Sequence, residues 1–254
     1  MSGGPVIGLV IATMLEAEPF ISGFSLTECG RVPFPVYGIH SRPVETPHQH
    51  QNMSPHHLSG DHPHPCLPLR GGGKKGGGSF PGKDRLYLII SGIGKANAAM
   101  ACTYLIQRYH PVCLCNAGAA GTVSASYRLG ECRHITKIIE PDRPELRTGV
   151  YHAHIPDVID GFPTATLATQ DKAVRNPAEK ERIAPDAQLV DMEGASVVQA
   201  CRQFHVKCYL FKFVSDTPDH DTSGDIERNI ALYRDTFFCF FYDKVLPRLV
   251  TVSS

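Results

Sequence analysis

The sequence lacks a surplus of charge of either sign. Its 25 Lys and Arg residues balance 25 Asp and Glu residues, and its isoelectric point is near 7.2. A neutral chain has neither the basic surface that is typical of nucleic-acid binding nor an acidic tail, so we expect no nucleic-acid partner. No apolar run reaches the length of a bilayer span, so we also expect no membrane partner.

Cysteine pairs with the spacing of a zinc ribbon or of a thiol-redox motif are missing as well. The nine cysteines are scattered, and most of them lie in apolar runs. This pattern is typical of small buried side chains in a reducing compartment, so we predict a cytoplasmic protein. The short apolar stretch Val6–Ala12 lacks a basic leader and predicts a buried first strand rather than a signal peptide.

Residues 41–84 differ in composition from the rest of the chain. They are dense in Pro, Gly and His and contain almost no branched apolar residues. We therefore predict a flexible insertion in an otherwise single domain that spans residues 1–254. The histidines of this segment and Cys66 are candidate ligands for a transition metal, but their irregular spacing favours a solvated loop, and we predict no metal site.

Outside the insertion, predicted strands and helices alternate. This alternation indicates a single α/β domain with a mixed, largely parallel central sheet and helices on both of its faces. Apolar runs predict strands, and apolar residues at helical spacing predict helices. The strands are 85–91, 112–115 and 206–214, and the helices are 96–109, 193–204 and about 225–245, the last with Thr222 or Ser223 as its N-cap.

Two glycine-rich turns follow predicted strands. In Ser91–Lys95 the glycines allow a ligand to approach the backbone, and the start of the next helix offers unpaired N–H donors. The motif has neither the spacing of a P-loop nor the third glycine of a dinucleotide-binding fingerprint, so it suits an anion or sugar hydroxyls. Asn116–Gly121 is predicted as a second turn that admits a ligand or a packed helix.

Three acidic residues are predicted near the carboxyl ends of strands. Glu16 follows the first strand, Glu193 begins a helix, and Asp216 follows a late strand. Ligands of open α/β sheets bind at this edge, where a carboxylate screened from water can act as an acid. The plainer alternatives are that Asp216 caps a turn and that Glu193 interacts only with the helix dipole. Three acids and two glycine turns together favour a pocket.

Five short motifs occur in one order along the chain: Met14–Glu18, Ser91–Ala99, Asn116–Gly121, Val190–Glu193 and Ser215-Asp216. In this order they resemble the nucleoside phosphorylase and nucleosidase superfamily, and within it the 5′-methylthioadenosine/S-adenosylhomocysteine nucleosidases. The resemblance covers almost the whole chain except the insertion. It implies a nucleoside phosphorylase-like fold, a small nucleoside as substrate, no cofactor, and a homodimer or higher homo-oligomer.

The resemblance implies catalytic roles for two acids. Asp216 would protonate N7 of a purine leaving group, which requires it to be substantially buried. Glu16, rather than Glu18, would orient and deprotonate the attacking water, with Lys212 nearby. These roles suit N-glycosidic cleavage, because positive charge on the sugar and negative charge on the base develop together.

The resemblance also implies contacts to the sugar and the base. A carboxylate would accept hydrogen bonds from the 2′ and 3′ hydroxyls, the glycine turn would line the ribose and water side, and a backbone segment would contact the base. The implied substrate-binding residues are Glu193 and Met192 at the ribose, Ser91, Gly92 and Gly94 in the turn, Val174 at the base, and Ser215 and Lys212 near the acids.

Two stretches depart from the family pattern. Relatives stack an aromatic residue on adenine, and Ala173 takes that place here, although base–aromatic stacking contributes about 1–3 kcal/mol in nucleic-acid binders. The segment 140–171 is shorter than in the nucleosidases, which changes the part of the pocket that a partner subunit would supply.

We predict a hydrolase that cleaves the N-glycosidic bond of a purine nucleoside of the 5′-methylthioadenosine type. Phosphorylases of the superfamily bind phosphate with arginines, and no arginine cluster lies at the glycine turns. A purine nucleoside phosphorylase is the second hypothesis. The third is a non-catalytic relative that binds a nucleoside or a metal, suggested by the missing stacking residue and the His-rich insertion.

Overall fold

The computed structural model describes residues 5–39, 86–123, 126–217 and 222–253. The predicted insertion at 41–84 lies outside these residues, as do positions 218–221. The described residues form ten strands: β1 (Ile7–Ile11), β2 (Thr27–Gly30), β3 (Val36–Gly38), β4 (Leu86–Ile90), β5 (Cys113–Thr122), β6 (Cys132–Pro144), β7 (Tyr151–His154), β8 (Thr164–Thr169), β9 (Leu189–Asp191) and β10 (Lys207–Asp216).

Helices cover both faces of the sheet. They are α1 (Met14–Gly23), α2 (Lys95–Tyr109), α3 (Pro177–Ile183), α4 (Gly194–Gln203), α5 (Ser223–Phe240), a π-helical turn (Phe241–Val245) and α6 (Leu246–Ser253). Helix α2 packs against α4 on one face, and α1 packs against α5 on the other, so an apolar layer lies on each side of the sheet. The predicted α/β architecture is confirmed. Within the described ranges, no helix combines the length and apolarity of a membrane span.

The strands form one mixed sheet with a closed part. Their order is β10-β6-β8-β9-β5-β1-β4-β3-β2, and β7 pairs with β6 outside this path. Parallel pairs join β1 to β4 and β5, β5 to β10, and β8 to β6 and β9. Because β5 pairs with β10 as well as with β9, strands β5, β10, β6, β8 and β9 close into a ring. The carboxyl ends of β1, β5 and β10 therefore meet at one edge.

Strand β5 is longer than the sequence predicts. The expected turn at Asn116–Gly121 does not form, because these small residues continue the strand. Strand β10 pairs with them along one side, whereas on the other side β1 reaches only Asn116 and β9 pairs with Gly121. This pairing overrides the low strand propensity of Ala and Gly.

The other predicted elements are confirmed, with small shifts at their ends. The strand predicted at 206–214 is β10, and Asp216 is its last residue rather than a residue beyond it. Helix α4 begins directly after Glu193, which is its N-cap residue. Thr222 caps α5 by accepting the backbone N–H of Asp225, and the helical path continues past the predicted end into α6.

Five cysteines that the sequence places in apolar runs are buried in the core. No disulfide bond joins cysteines within the described residues. The buried ones are Cys102, Cys113, Cys115, Cys201 and Cys208.

The predicted insertion connects two neighbouring strands. Gly38 of β3 and Tyr87 of β4 are antiparallel partners, so the chain leaves and re-enters the sheet at adjacent positions. These positions lie at the amino end of β4. Since β4 is parallel to β1, the insertion connects to the edge of the sheet opposite to the carboxyl end of β1.

Candidate active site

A cavity of about 160 Å³ lies at the carboxyl edge of the sheet. Its wall combines the residues after β1, the end of β5, the β8–α3 loop, the β9–α4 connection, the end of β10 and part of α5. The three predicted acids, Glu16, Glu193 and Asp216, all line this cavity. They are buried, with exposed fractions of only 6%, 6% and 7%. The fold therefore gathers three carboxylates that are far apart in sequence.

Glu16 is fixed by the start of α1. Thr13, the N-cap residue, donates its backbone N–H (3.1 Å) and its hydroxyl (2.6 Å) to Oε2 of Glu16. The backbone N–H of Ala119 donates to Oε1 at 2.8 Å. Glu18, in contrast, is paired with Arg234 and its side chain is 64% exposed. Of these two glutamates, Glu16 is therefore the one that lines the cavity, and three hydrogen bonds hold it there.

Asp216 is held by its own strand and by α5. The hydroxyl of Ser215 donates to Oδ1 of Asp216 at 2.7 Å. The buried side-chain amide of Asn229 donates to the carbonyl oxygen of Ser215 at 2.9 Å. These bonds set the direction in which the carboxyl group faces the cavity.

Two glycines of β5 provide the space for these two carboxylates. A Cβ atom on Gly118 would lie 2.7 Å from Oε1 of Glu16. Gly121 is the register partner of Asp216, and a Cβ atom there would overlap that carboxylate, 2.9 Å from its Cγ. The small residues that the sequence suggested for a ligand or helix approach instead admit the two acids themselves.

Glu193 lies at the N-cap of α4 and accepts the backbone N–H of Gly94 at 2.9 Å. Burial and the nearby negative charge of Asp191 raise the pKa of Glu193 to about 7, although Lys212 and the hydrogen bond from Gly94 act in the opposite direction. The carboxyl group is therefore balanced between its neutral and charged forms near neutral pH. Hydrogen-bond donors on a ligand would favour the charged form.

A buried ion pair supports Glu193. Nζ of Lys212 lies 2.8 Å from Oδ2 of Asp191, and the two side chains are 2% and 1% exposed. Asp191 also accepts the hydroxyl of Thr169 (2.6 Å) and the N–H of Gly194 (2.9 Å). Burial alone would lower the pKa of Lys212, but Asp191 and Glu193 raise it above its ordinary value, so the lysine stays charged.

The remaining predicted substrate-binding residues fall into two groups. Three of them line the cavity, namely Met192, Val174 and Ser215. The others are not among the described lining residues: Ser91, Gly92, Gly94 and Lys212.

The glycine turn meets the cavity through a different residue from those predicted. The hydroxyl of Ser91 donates to the carbonyl oxygen of Gly92 at 2.8 Å, and the N–H of Gly94 is bound to Glu193. Ile93, at the tip of the turn, is the residue that reaches the cavity. Gly92 and Gly94 adopt φ angles of +79° and +103°, which explains the need for glycine at both positions.

The rest of the wall is largely apolar. Ile226 and Ile230 of α5 face the cavity together with Ile93 and Val174. Ala173 also lines it, and none of the described lining residues is aromatic. Ala173, which the resemblance places where relatives stack a ring on adenine, contributes only a methyl group to this wall.

Cations reach the cavity from the β8–α3 loop. Within the described part of the chain these are Lys172 and Arg175, both exposed to solvent. Nζ of Lys172 lies 3.5 Å from Oε1 of Glu179. Across the described residues, no group of three or more His, Cys, Asp or Glu side chains is arranged to hold a metal ion.

Sequence reasoning missed two residues that shape the site. Thr13 precedes Glu16 by three positions, and this Thr-x-x-Glu spacing is the signature of a capping box, so a local signal was present. Asp191 had no such signal, because its partner Lys212 is distant in sequence and only the closed part of the sheet brings them together.

Comparison with known protein families gives a match across most of this site. The family model of the phosphorylase superfamily matches residues 72–237. A 5′-methylthioadenosine/S-adenosylhomocysteine nucleosidase of Anoxybacillus flavithermus is 27% identical over 166 residues, which cover 56% of this chain and 72% of the relative.

Solved structures share the fold over nearly the full length. The 5′-methylthioadenosine nucleosidase of Arabidopsis thaliana in apo form superposes with a TM-score of 0.72 and 18% identity, covering 98% of this chain and 97% of that one. The futalosine hydrolase of Helicobacter pylori gives a TM-score of 0.69 and 15% identity, covering 96% and 98%. With the site motifs and the family match in agreement, the chain belongs to the phosphorylase superfamily.

Proposed function

We propose that this chain is a nucleosidase that hydrolyses the N-glycosidic bond of a purine nucleoside of the 5′-methylthioadenosine/S-adenosylhomocysteine type. The observation that carries the proposal is one cavity lined by three buried carboxylates, Glu16, Glu193 and Asp216. Cleavage of this bond builds positive charge on the sugar and negative charge on the base, so it needs an acid and a carboxylate at opposite ends. The similarity of the chain to nucleosidases supports an N-glycosidic hydrolase.

Asp216 is the general acid of the proposed reaction. It donates a proton to N7 of the purine as the bond to the sugar breaks, which neutralises the leaving group. The bond from Ser215 and the hold of Asn229 on the strand keep its carboxyl group in one direction. Fixed direction matters because proton transfer requires hydrogen-bond geometry in the transition state.

Glu16 is the proposed base that orients and deprotonates the attacking water. Its two carboxylate oxygens are held by donors from Thr13 and Ala119, on two different elements. A carboxylate fixed in this way positions a water without having to move, and positioning lowers the entropic part of the barrier. The positive charge of Lys212 interacts electrostatically with Glu16 and offsets part of the negative charge of the carboxylates.

Glu193 is the residue proposed to bind the ribose. Its carboxylate accepts the 2′ and 3′ hydroxyls, with Met192 beside the sugar. The hydroxyls supply donors that favour the charged form of a group whose pKa is raised to about 7 by burial and by Asp191. The backbone at Val174 contacts the base.

Water is favoured over phosphate as the nucleophile by the charges of the wall. The cavity is lined by carboxylates, and the described cations that line it, Lys172 and Arg175, are exposed on one loop. Lys212 is already bound to Asp191. Phosphate recognition uses bidentate arginine or several fixed donors, and buried carboxylates would repel the anion. A phosphorylase is the alternative that product analysis distinguishes.

The choice of base and 5′ group depends on the apolar half of the wall. Ile93, Ile226 and Ile230 suit a purine face or an alkylthio substituent. Ala173 offers no ring for stacking, so we expect weaker binding of adenine than an aromatic residue would give, by about 1–3 kcal/mol.

We also propose that residues 1–254 form one domain interrupted by the insertion at 41–84, and that the enzyme is a cytoplasmic homodimer or higher homo-oligomer. Leu146, Val150 and Ile155 expose apolar side chains near β7. A second copy would cover such a surface. Light scattering coupled to size exclusion tests the assembly directly.

The proposal is tested by incubating the protein with a panel of nucleosides and separating free bases by chromatography. The panel varies the base (adenine, hypoxanthine, guanine, a pyrimidine) and the 5′ group (hydroxyl, methylthio, homocysteinyl, a larger acidic group). We expect release from 5′-alkylthio purine nucleosides and none from the pyrimidine nucleoside. No free base from any member of the panel would contradict the proposal.

A further inference from the structure

A polar network outside the cavity joins the glycine turn to the β8–α3 loop. Nζ of Lys95 lies 2.9 Å from Oδ1 of Asp142 and 3.3 Å from Oε1 of Glu140. The backbone N–H of Lys95 donates to Oδ1 of Asp171 at 3.1 Å. The N–H of Asp171 in turn donates to Oδ2 of Asp142 at 2.9 Å. Lys95 therefore holds the end of β6 and the loop after β8 with one side chain and one backbone group.

The network is built on a rigid base. The side chain of Glu140 is 1% exposed and that of Lys95 is 15% exposed. Glu140 also accepts Nε2 of His154 at 2.7 Å and the side-chain amide of Gln199 at 3.3 Å, so β7 and α4 fix it as well. Burial alone would lower the pKa of Lys95, but Asp142 and Glu140 raise it above its ordinary value, and the lysine stays charged.

Both segments that Lys95 joins carry residues of the cavity. Gly94, the residue before it, donates its N–H to Glu193, and Ile93 lines the wall. Val174 follows Asp171 by three positions and also lines the cavity. The network thus connects Gly94, which is hydrogen-bonded to Glu193, with the loop that carries Val174.

We propose that Lys95 is a positioning residue for nucleoside binding, which fixes the glycine turn that supports Glu193 against the loop that carries Val174. The identity of the ligand rests on the proposed function, whereas the mechanical link rests on the hydrogen bonds alone. Glu193 and Val174 would contact the nucleoside in the ground state and in the transition state alike. Loss of their alignment therefore weakens both complexes, which raises KM more than it lowers kcat.

The test compares three variants with the wild-type protein. Lys95→Met keeps the stem and removes the charge, and Lys95→Arg keeps the charge. Lys244→Met removes an exposed lysine of the π-helical turn, outside the network, as a matched control. We expect Lys95→Met to raise KM about tenfold, the size of effect that the loss of one charged hydrogen bond has on a binding constant. We expect kcat to change by less than about threefold, Lys95→Arg to restore most of the affinity, and Lys244→Met to match the wild type.

A second readout does not depend on catalysis. Amide hydrogen exchange of the peptide that covers Asp171–Val174 should become faster in Lys95→Met than in Lys244→Met. Unchanged exchange there, or a lower kcat with unchanged KM, would overturn the positioning role whatever the substrate is. If the exchange changes as expected but no nucleoside is bound or cleaved by the wild type, the mechanical link stands, and the proposed function and the role in nucleoside binding both fail.

Discussion

Replacement of Glu193 by Gln should make the protein more stable and less able to bind nucleoside. Glu193 is 6% exposed and lies close to the negative charge of Asp191. Burial and that charge raise its pKa from an ordinary 4.5 to about 7. Gln keeps an oxygen that can accept the N–H of Gly94, but it carries no charge that burial penalises. The charged form of Glu193 therefore destabilises the folded protein, and hydrogen bonds from the ribose hydroxyls would offset this effect.

The size and sign of the effect follow from proton linkage. Between pH 4.5 and 7 the folded protein binds more protons at Glu193 than the unfolded chain does, so the free energy of unfolding falls as the pH rises. The rise of the pKa of Glu193 from 4.5 to about 7 lowers the free energy of unfolding by about 3 kcal/mol above pH 7. At pH 5 less than about 1 kcal/mol of this cost is present. The difference in the free energy of unfolding between Glu193→Gln and the wild type should thus grow by about 2–3 kcal/mol from pH 5 to pH 8, in favour of the variant.

Urea unfolding at pH 5 and pH 8 measures this difference. The wild type is compared with Glu193→Gln and with Glu181→Gln, a matched change on the exposed surface of α3. We expect the gain at pH 8 for Glu193→Gln alone, together with weaker nucleoside binding. A stability difference that is the same at both pH values would refute the account of the site's electrostatics.

Three further changes test the site and the insertion. Asp216→Asn should lower turnover by about 10²–10⁴-fold, the usual contribution of general acid–base catalysis, with little change in Tm; near wild-type release of base would remove Asp216 from the mechanism. Gly121→Ala should lower turnover strongly as well, because the new Cβ displaces the Asp216 carboxylate. A Cβ on Gly30 would meet no atom of the described residues within 4 Å, so Gly30→Ala should keep full activity. Comparable rates for these two glycine variants would contradict the packing argument. Deletion of residues 45–80 with a short linker should leave Tm and activity nearly unchanged, because the insertion connects adjacent strands and loop closure costs only about 0.6 kcal/mol per doubling of length; a large loss of stability or of bound metal would contradict this.

The sequence predicted the acids of the site better than the shape of the strand between them. Asp216 and Glu193 follow from local patterns, a buried strand that ends in a polar pair and a helix that begins at an acid. Asn116–Gly121 was predicted as a turn because Ala and Gly have low strand propensity. Its true role depends on long-range contacts, since Gly118 and Gly121 face carboxylates from α1 and β10.

The roles of Lys212 and of the glycine turn also depended on tertiary structure. A lysine in a buried strand has no partner that can be read from nearby residues, and Asp191 reaches it only across the closed part of the sheet. The N–H of Gly94 is bound to a carboxylate 99 positions away. Local spacing therefore identified a glycine turn near the site, but not that it supports Glu193.

The central claim is that water, activated by Glu16, attacks the sugar while Asp216 protonates the base. The most direct test is the identity of the sugar product, measured for the best substrate with and without phosphate in the buffer. We predict the same rate of base release in both conditions and a free sugar as the only sugar product, with release strongly slowed in Glu16→Gln. A sugar 1-phosphate as the main product, or release that requires phosphate, would contradict the account and identify the protein as a phosphorylase.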